Sequence, residues 1–195
     1  GNLFFCLIGQ RDGHDFAKAA AERGAGALVV DAKHSVPVKI PKIVVEDTLR
    51  ALGDLALAWR RKFSIPLLGI TGSNGKTTTK EMCAAILAVS GPCLKNEGNL
   101  NNEFGLPLTL LRRGPEHKSV VVELGMNHRG ETARLAAIAQ PRVGVITNAG
   151  TAHIGHPGSR ENIALEKGDL VAALGPDDTA VLNADDPLVL AQAAR

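Results

Sequence analysis

In LLGITGSNGKTTTKEMCAAIL, residues Leu67 to Leu87, one lysine stands between a glycine and three consecutive threonines, directly after an apolar run. Those residue types in that order suit phosphate chemistry. The apolar run reads as a buried strand, and Met82, Ile86 and Val89 recur at helical spacing after Lys76, so the glycines fall where a strand turns into a helix. At such a turn the backbone N–H groups converge on an anion, and the helix macrodipole adds partial positive charge. Lys76 is placed to reach the outer phosphates of a nucleotide, and Thr77 to offer its hydroxyl to Mg²⁺. The Walker A form GxxxxGK(S/T) is met except at its first position, where Ile70 stands in place of glycine with Gly69 and Gly72 flanking it.

Four further stretches carry groups able to do chemistry. In SVVVELG, Glu123 follows three valines, the place where a nucleotide-binding sheet holds a metal-directed carboxylate. In VGVITNAGTAHIGHPGS, Asn148, Thr151, His153 and His156 crowd one glycine-rich loop after a strand. In KNEGNLNNEFGLPLTLL, Asn96, Asn99, Asn101 and Asn102 precede an amphipathic helix, a composition that also serves turns and caps. In SRENIALEKGDLVAAL, Lys167 lies on the same helical stripe as Ile163, Leu170 and Leu174, where an apolar residue is expected.

These groups need elements to hold them, and the chain supplies an alternating series. LFFCLIG, ALVVD and KIVVE read as short strands, with a helix over DFAKAAAERGAG. DTLRALGDLALAWRRKF gives a helix with Leu49, Leu52, Leu55, Ala56 and Trp59 along one side. FSIP, Phe63 to Pro66, marks a boundary, since proline turns its predecessor away from helix and a new strand follows. LLGIT, SVVVELG, VGVIT and TAVLN are near-continuous apolar runs separated by helical segments, the pattern of a parallel sheet covered on both faces. The expected organisation is α/β throughout: a small mixed α/β domain over residues 1–63, then a doubly wound, mostly parallel nucleotide-binding domain over 64–195. The opening GNLFFCLIG and closing DDPLVLAQAAR both break off in mid-pattern, so the chain reads as a piece of something longer.

Composition narrows the partners. A net charge of +2 and 3% aromatic residues supply neither a basic stripe nor stacking platforms for nucleic acid. Cys6, Cys83 and Cys93 are odd in number and form no CxxC pair, which suits thiols in a reducing cytoplasm. The sequence contains no apolar run of membrane-spanning length, so no membrane partner is expected, and a monomer is.

TGSNGKT, GNLNNEFGLPLTLL, VVELGMN, ITNAGTAHIGHPGS, ENIALEKGD and VLNADDP, in this order, resemble the ATP-dependent Mur ligases of peptidoglycan precursor synthesis. The likeness is nearest to the branch that joins D-alanyl-D-alanine to UDP-N-acetylmuramoyl-tripeptide, and it extends over residues 65–195 almost throughout. The first part resembles the end of that family's UDP-sugar domain. The resemblance implies a partial UDP-sugar domain, a partial ATP-binding central domain, and a C-terminal domain lying outside this sequence, so that these residues alone are expected to ligate nothing. It implies cytoplasmic amide-bond formation through an acyl phosphate, with ATP and Mg²⁺ as cofactors. Carried over residue by residue, Gly72, Ser73, Asn74, Gly75, Lys76, Thr77 and Thr78 cradle the phosphates, with Thr77 on one Mg²⁺. Glu123 and His153 ligate a second metal, Asn183 reads adenine, and Asn99 and Asn102 face the muramoyl-peptide. Lys167 falls in the segment where several family members carry a carbamylated lysine, whose two oxygens would join Glu123 and His153 on the metal. Lys76, His153 and Lys167 are then the expected catalytic set.

Other functions share parts of this pattern. A P-loop GTPase or kinase has the same loop, but the sequence lacks an NKxD base-reading motif and gives the asparagine cluster no task there. Another Mur-type ligase, folylpolyglutamate synthetase, or a nucleotide-binding fragment without catalysis would keep most of the motifs.

Overall fold

The seven apolar runs become strands, and an eighth not expected from the sequence, Cys93–Lys95, joins them among the described residues of the computed structural model, which describes residues 1–150 and 159–195. Every strand ladder is parallel. The chain divides into two compact units, Gly1–Leu55 and Ala56–Arg195.

The first unit contains β1 (Leu3–Phe5), α1 (Ala17–Glu22), β2 (Ala27–Asp31), β3 (Lys42–Val45) and the start of α2 (Thr48–Arg60), with strand order β1-β2-β3. Strand β2 is central, and Leu28 and Val30 pack with Cys6, Ala17 and Val36 as its core. The strand expected over LFFCLIG ends at Phe5, because the chain turns back on itself: Gly13 N donates to Leu7 O at 2.8 Å. The helix expected from Asp15 begins with a 3₁₀ turn at Gly13–Phe16, capped by the Asp12 carboxylate, which accepts from His14 N. The boundary expected at Phe63 lies after α2, whereas the compact units part inside that helix.

The second unit continues with β4 (Leu67–Thr71), α3 (Lys76–Leu87), β5 (Cys93–Lys95), α4 (Gly105–Leu111), β6 (Ser119–Glu123), α5 (Glu131–Ala139), β7 (Val143–Ile146), α6 (Arg160–Ala172), β8 (Thr179–Leu182) and α7 (Pro187–Leu190). Its sheet runs β5-β6-β4-β7-β8. The chain leaves β4 for one side of the sheet, returns to pair β6 beside it, then crosses to build β7 and β8 on the other. Strand β4 therefore stands where the winding reverses, the position at which open α/β sheets bind ligands beyond their strand ends. Val121, Val122 and Ile70 at 0% exposure show why these strands read as continuous apolar runs: both faces are covered.

Two helices depart from the expected apolar faces. On α3 and the 3₁₀ turn that follows it, Met82, Ile86 and Val89 are 61%, 69% and 89% exposed, and the helix lays Lys80, Cys83, Ala84 and Leu87 toward the sheet instead. The period identifies a helix, but two stripes share that period, and the sheet takes the one on which Lys80 can reach Asn96 O at 2.8 Å. On α2, Leu52 and Ala56 are buried while Leu55 is 40% exposed. Among the described residues no helix is long and apolar enough to cross a membrane.

Helix α6 is held against the sheet by a missing pair of side chains. Gly69 and Gly144 are register partners on β4 and β7, and a Cβ at Gly144 would lie 3.1 Å from Leu170 Cγ. Leu170, at 0% exposure, occupies the trough they leave. Lys167 is one turn earlier on α6, about 4.5 Å along the axis toward the strand ends.

The buried stripe of α3 gives a test. Ile86→Gln is expected to change unfolding free energy by no more than about 0.5 kcal/mol. Ala84→Leu, at a position 4% exposed, is expected to destabilise by about 1–3 kcal/mol. Urea denaturation of both variants checks the pair, and the reverse order would place the other stripe on the sheet.

Candidate active site

The loop between β4 and α3 is anchored from the side by the end of β7. Ser73 N donates to Asn148 O and Asn74 N to Asn148 Oδ1, both at 3.0 Å, while Thr147 Oγ1 and Asn148 Nδ2 donate to Asn74 O at 2.7 and 3.0 Å. Ser73 Oγ donates to Gly150 O at 3.1 Å. Gly72 has φ of +152°, and a Cβ there would run into Thr147 Oγ1, so this close approach admits no side chain. Ser73 and Asn74 thus spend their amides holding the loop. The donors left for an anion belong to the first turn of α3, Lys76 to Thr78, whose N–H groups have no intrahelical partner. Gly75, the N-cap at φ +79°, brings no side chain over that helix end. Lys76 Nζ folds back to donate to Gly72 O at 2.8 Å and Ser73 O at 3.3 Å.

Opposite the loop stands Glu123, 3% exposed at the end of β6 and in register with Ile70. Its Oε2 accepts from Thr77 Oγ1 at 2.9 Å, and its Oε1 from Asn101 Nδ2 at 2.7 Å. Asn96, at 0% exposure, brackets the same residue through the backbone: its Oδ1 accepts from Glu123 N at 3.0 Å, and its Nδ2 donates to Glu123 O at 3.2 Å and Leu100 O at 3.0 Å. The asparagine cluster is therefore divided in its tasks. Asn96 and Asn101, not singled out by their positions, hold the acid. Asn102 accepts from Phe104 N and Gly105 N through Oδ1 and so caps α4, while Asn99 borders the cavity beside it. A run of like residues gives no signal for this division, because the division follows from which amide reaches β6.

Gly72, Lys76, Asn99, Asn101, Asn102, Glu123 and Lys167 line one cavity of about 290 Å³. Lys167 is 3% exposed, and its pKa falls to about 8, first because burial disfavours the ammonium and second because Lys76 is a like charge nearby; Glu166 opposes this. Glu166 itself turns to α5, where its Oε1 accepts from Gly130 N at 2.8 Å and Thr132 N at 3.4 Å. Asn183 sits at the end of β8, with Nδ2 donating to Thr147 O at 2.9 Å and Oδ1 accepting from Asp185 N at 3.0 Å. Asp186 accepts from Ala149 N at 2.8 Å and lies 3.7 Å from Arg160, which donates to Ala149 O, so α6, α7 and the β7 loop are joined. His153, with Thr151 and His156, lies outside the described residues.

The donor set suits a hard cation and a polyphosphate. A hydroxyl and a carboxylate stand side by side at the head of a twelve-residue helix, with an unblocked helix end and two lysines around them. A glycine loop after the central strand of a parallel sheet, wound in both directions and facing these groups, defines a nucleotide-binding P-loop protein of the doubly wound class. The chain belongs to the Mur ligase family: residues 70–195 match the Mur ligase middle domain, and residues 1–60 match the Mur ligase family, catalytic domain. It is 46% identical to the UDP-N-acetylmuramoyl-tripeptide–D-alanyl-D-alanine ligase of Synechocystis, covering 100% of this chain and 43% of that protein. Its structure resembles MurF from Acinetobacter baumannii with a TM-score of 0.94 at 36% identity, covering 100% of this chain and 43% of the other. MurF ligase from Thermotoga maritima, solved in complex with ADP, matches with a TM-score of 0.88 at 36% identity, over 96% of this chain and 44% of the other. The chain thus spans less than half the length of these relatives.

The buried lysine has a consequence for stability. Its pKa of about 8 in the folded chain lies below the ordinary 10.5, so between these values the unfolded chain binds more protons and stability rises with pH. Below pH 8 the full cost of burying the ammonium is present. Lys167→Met is expected to raise stability at pH 7 and to flatten the rise between pH 8 and 10. Chemical denaturation across that range checks it, and an unchanged slope would contradict the assignment.

Proposed function

We propose that this chain carries the nucleotide-binding part of an ATP-dependent ligase that joins D-alanyl-D-alanine to UDP-N-acetylmuramoyl-tripeptide in the cytoplasm. The observation that carries the reading is the meeting of Thr77 and Glu123 at 2.9 Å, at the open end of α3 and across one cavity from Lys76 and Lys167. In the reaction a tripeptide carboxylate attacks the γ-phosphorus of ATP and ADP departs. The amine of D-alanyl-D-alanine then adds to the acyl phosphate carbonyl, and phosphate leaves as the amide forms. Both partners of the first step are anions, so the chain's task is to orient them and to neutralise charge. Mg²⁺, when bound, would supply the Lewis acidity that lets a carboxylate approach a triphosphate.

The residues divide that work. The N–H groups of Lys76 to Thr78 take phosphate oxygens, and Lys76 Nζ exchanges the carbonyls of Gly72 and Ser73 for the outer phosphates. Thr77 and Glu123, whose oxygens lie 2.9 Å apart, would hold the metal, and the family pattern adds His153 as a ligand. Asn183 keeps one N–H and one lone pair for the adenine edge. Asn99 and the free amide hydrogens of Asn102 face the peptide substrate. Lys167, held partly neutral by burial, would add its amine nitrogen to CO₂ and release a proton, giving a carbamate whose two oxygens would join Glu123 in holding the metal.

Lys76→Ala is expected to weaken ATP binding by about a hundredfold while circular dichroism stays unchanged, since charged hydrogen bonds to phosphate are lost and little else. Equal affinity would overturn the loop assignment. In the full-length enzyme, phosphate release is expected with UDP-N-acetylmuramoyl-tripeptide and D-alanyl-D-alanine and not with a folate and glutamate; the opposite preference would move the protein to another branch. Lys167→Ala in that enzyme is expected to lose ligation and regain part of it with added short-chain carboxylic acids. An unmodified ammonium in a metal-bound structure, with no rescue, would refute the carbamate.

A further inference from the structure

Far along the chain from the phosphate loop, in the first unit, two histidines and two aspartates close on one another. The rings of His14 and His34 stack with centroids 4.1 Å apart. His34 Nδ1 lies 2.7 Å from Asp31 Oδ1, and its Nε2 lies 3.0 Å from Asp12 Oδ2. His14 Nε2 accepts from Asp31 N at 3.2 Å, which puts that ring's proton on Nδ1, 2.6 Å from Asp12 Oδ1. The carboxylate of Asp12 thus faces one nitrogen from each ring.

A ring that donates Nδ1–H to a carboxylate presents a lone pair at Nε2, and a lone pair facing an anionic oxygen at 3.0 Å requires a cation between them. A proton meets the requirement, and so does a metal ion. The arrangement around His34 is that of a metal-bound imidazole, whose second nitrogen is oriented by a carboxylate behind it. Asp31, whose side chain is 7% exposed, supplies that carboxylate and is itself fixed by Lys33 N and His34 N.

We propose that Asp12, His14 and His34 form a binding site for a divalent transition-metal ion of the zinc class. The ligating atoms are His34 Nε2, Asp12 Oδ2 and His14 Nδ1; one such atom from each residue lies within 4.8 Å of the others. Metal–ligand distances of about 2.0–2.2 Å bring ligand atoms to about 3–3.5 Å apart, which His34 Nε2 and Asp12 Oδ2 already meet at 3.0 Å. Two imidazoles and one carboxylate select zinc, cobalt or nickel over magnesium and calcium, which prefer oxygen. Protons balance as follows: the ion takes the place of the proton at His34 Nε2, which leaves to solvent, and the His14 proton moves from Nδ1 to Nε2, so that this ring gives up the hydrogen bond from Asp31 N and turns its new N–H toward Asp31 Oδ2, 4.0 Å away. The stacked rings, 14° from parallel, must fan apart for both lone pairs to meet one ion. His34, with its side chain 36% exposed, is the ring able to pivot, while His14, at 5%, needs only the small tilt that takes its Nε2 off Asp31 N. The ion would tie the segment after β1 to the segment after β2.

Co²⁺, added to the 195-residue chain in excess Mg²⁺ to occupy the oxygen donors at Glu123, is the probe. One equivalent is expected to bind with the visible absorption of a four- or five-coordinate ion, and Zn²⁺ to displace it. His34→Gln and Asp12→Asn, made separately so that one failing to fold leaves the other, are each expected to abolish the spectrum. Asp31→Asn is expected to weaken binding by about 10–100-fold. Absence of the spectrum in the unaltered chain would mean that only a proton occupies the position. A spectrum unchanged in either folded ligand variant would place the ion elsewhere, and either result overturns the proposal.

Discussion

A carboxylate withdrawn from water needs a donor at each oxygen, and Glu123 is the residue around which the second unit satisfies that need. Leaving one oxygen of such a buried carboxylate without its donor costs about 1–3 kcal/mol, so the donors are as constrained as the acid. Thr77 comes from the first turn of α3, Asn101 from the loop before α4, and Asn96 holds the backbone on both sides. These meet at one point only because β4 and β6 pair with Ile70 opposite Glu123. A slip of one residue would send the acid to the other face of the sheet and leave both donors unmatched. The register of two strands therefore sets the distance between the phosphate loop and the acid, and the remaining elements are arranged about it.

The lysine across the cavity depends on the same sheet by a different route. Leu170 can enter only where Gly69 and Gly144 leave room, so the packing of α6 fixes the height at which Lys167 stands. The charged residue is carried into the interior by an apolar neighbour one turn away, and its depressed pKa follows from that placement. Packing here determines chemistry: the trough seats the helix, the helix buries the amine, and burial favours its neutral, nucleophilic form.

Every strand but the short β5, and the turn between β4 and α3, were legible because each signal is local. Four-residue apolar runs bounded by turn residues, and a glycine-lysine-threonine string between strand and helix, need no knowledge of distant neighbours. Lys167 was legible for the same reason, as a cation on an apolar stripe. What was not legible depends on contacts far apart in sequence. Asn148 takes the amides of Ser73 and Asn74 from 74 residues away or more, and nothing in either segment announces it. Asn101 differs from Asn99 and Asn102 only in where β6 lies. The outward stripe of Met82, Ile86 and Val89 has the same period as the inward one, so periodicity identifies the helix without choosing its face.

The charges around the cavity explain why one modification would matter to the whole site. As the chain stands, Lys76 and Lys167 set two cations against the single carboxylate of Glu123, an excess suited to attracting a triphosphate. The same excess works against a metal ion, which would have to enter between the lysines. Under the proposed binding mode Lys76 would leave that position with the phosphates, whereas Lys167 is anchored by α6. Converting its amine to a carbamate would change a fixed cation into a fixed anion where α6 does not let the charge move away, and so would add a negative charge to the oxygen donors Thr77 and Glu123 already offer.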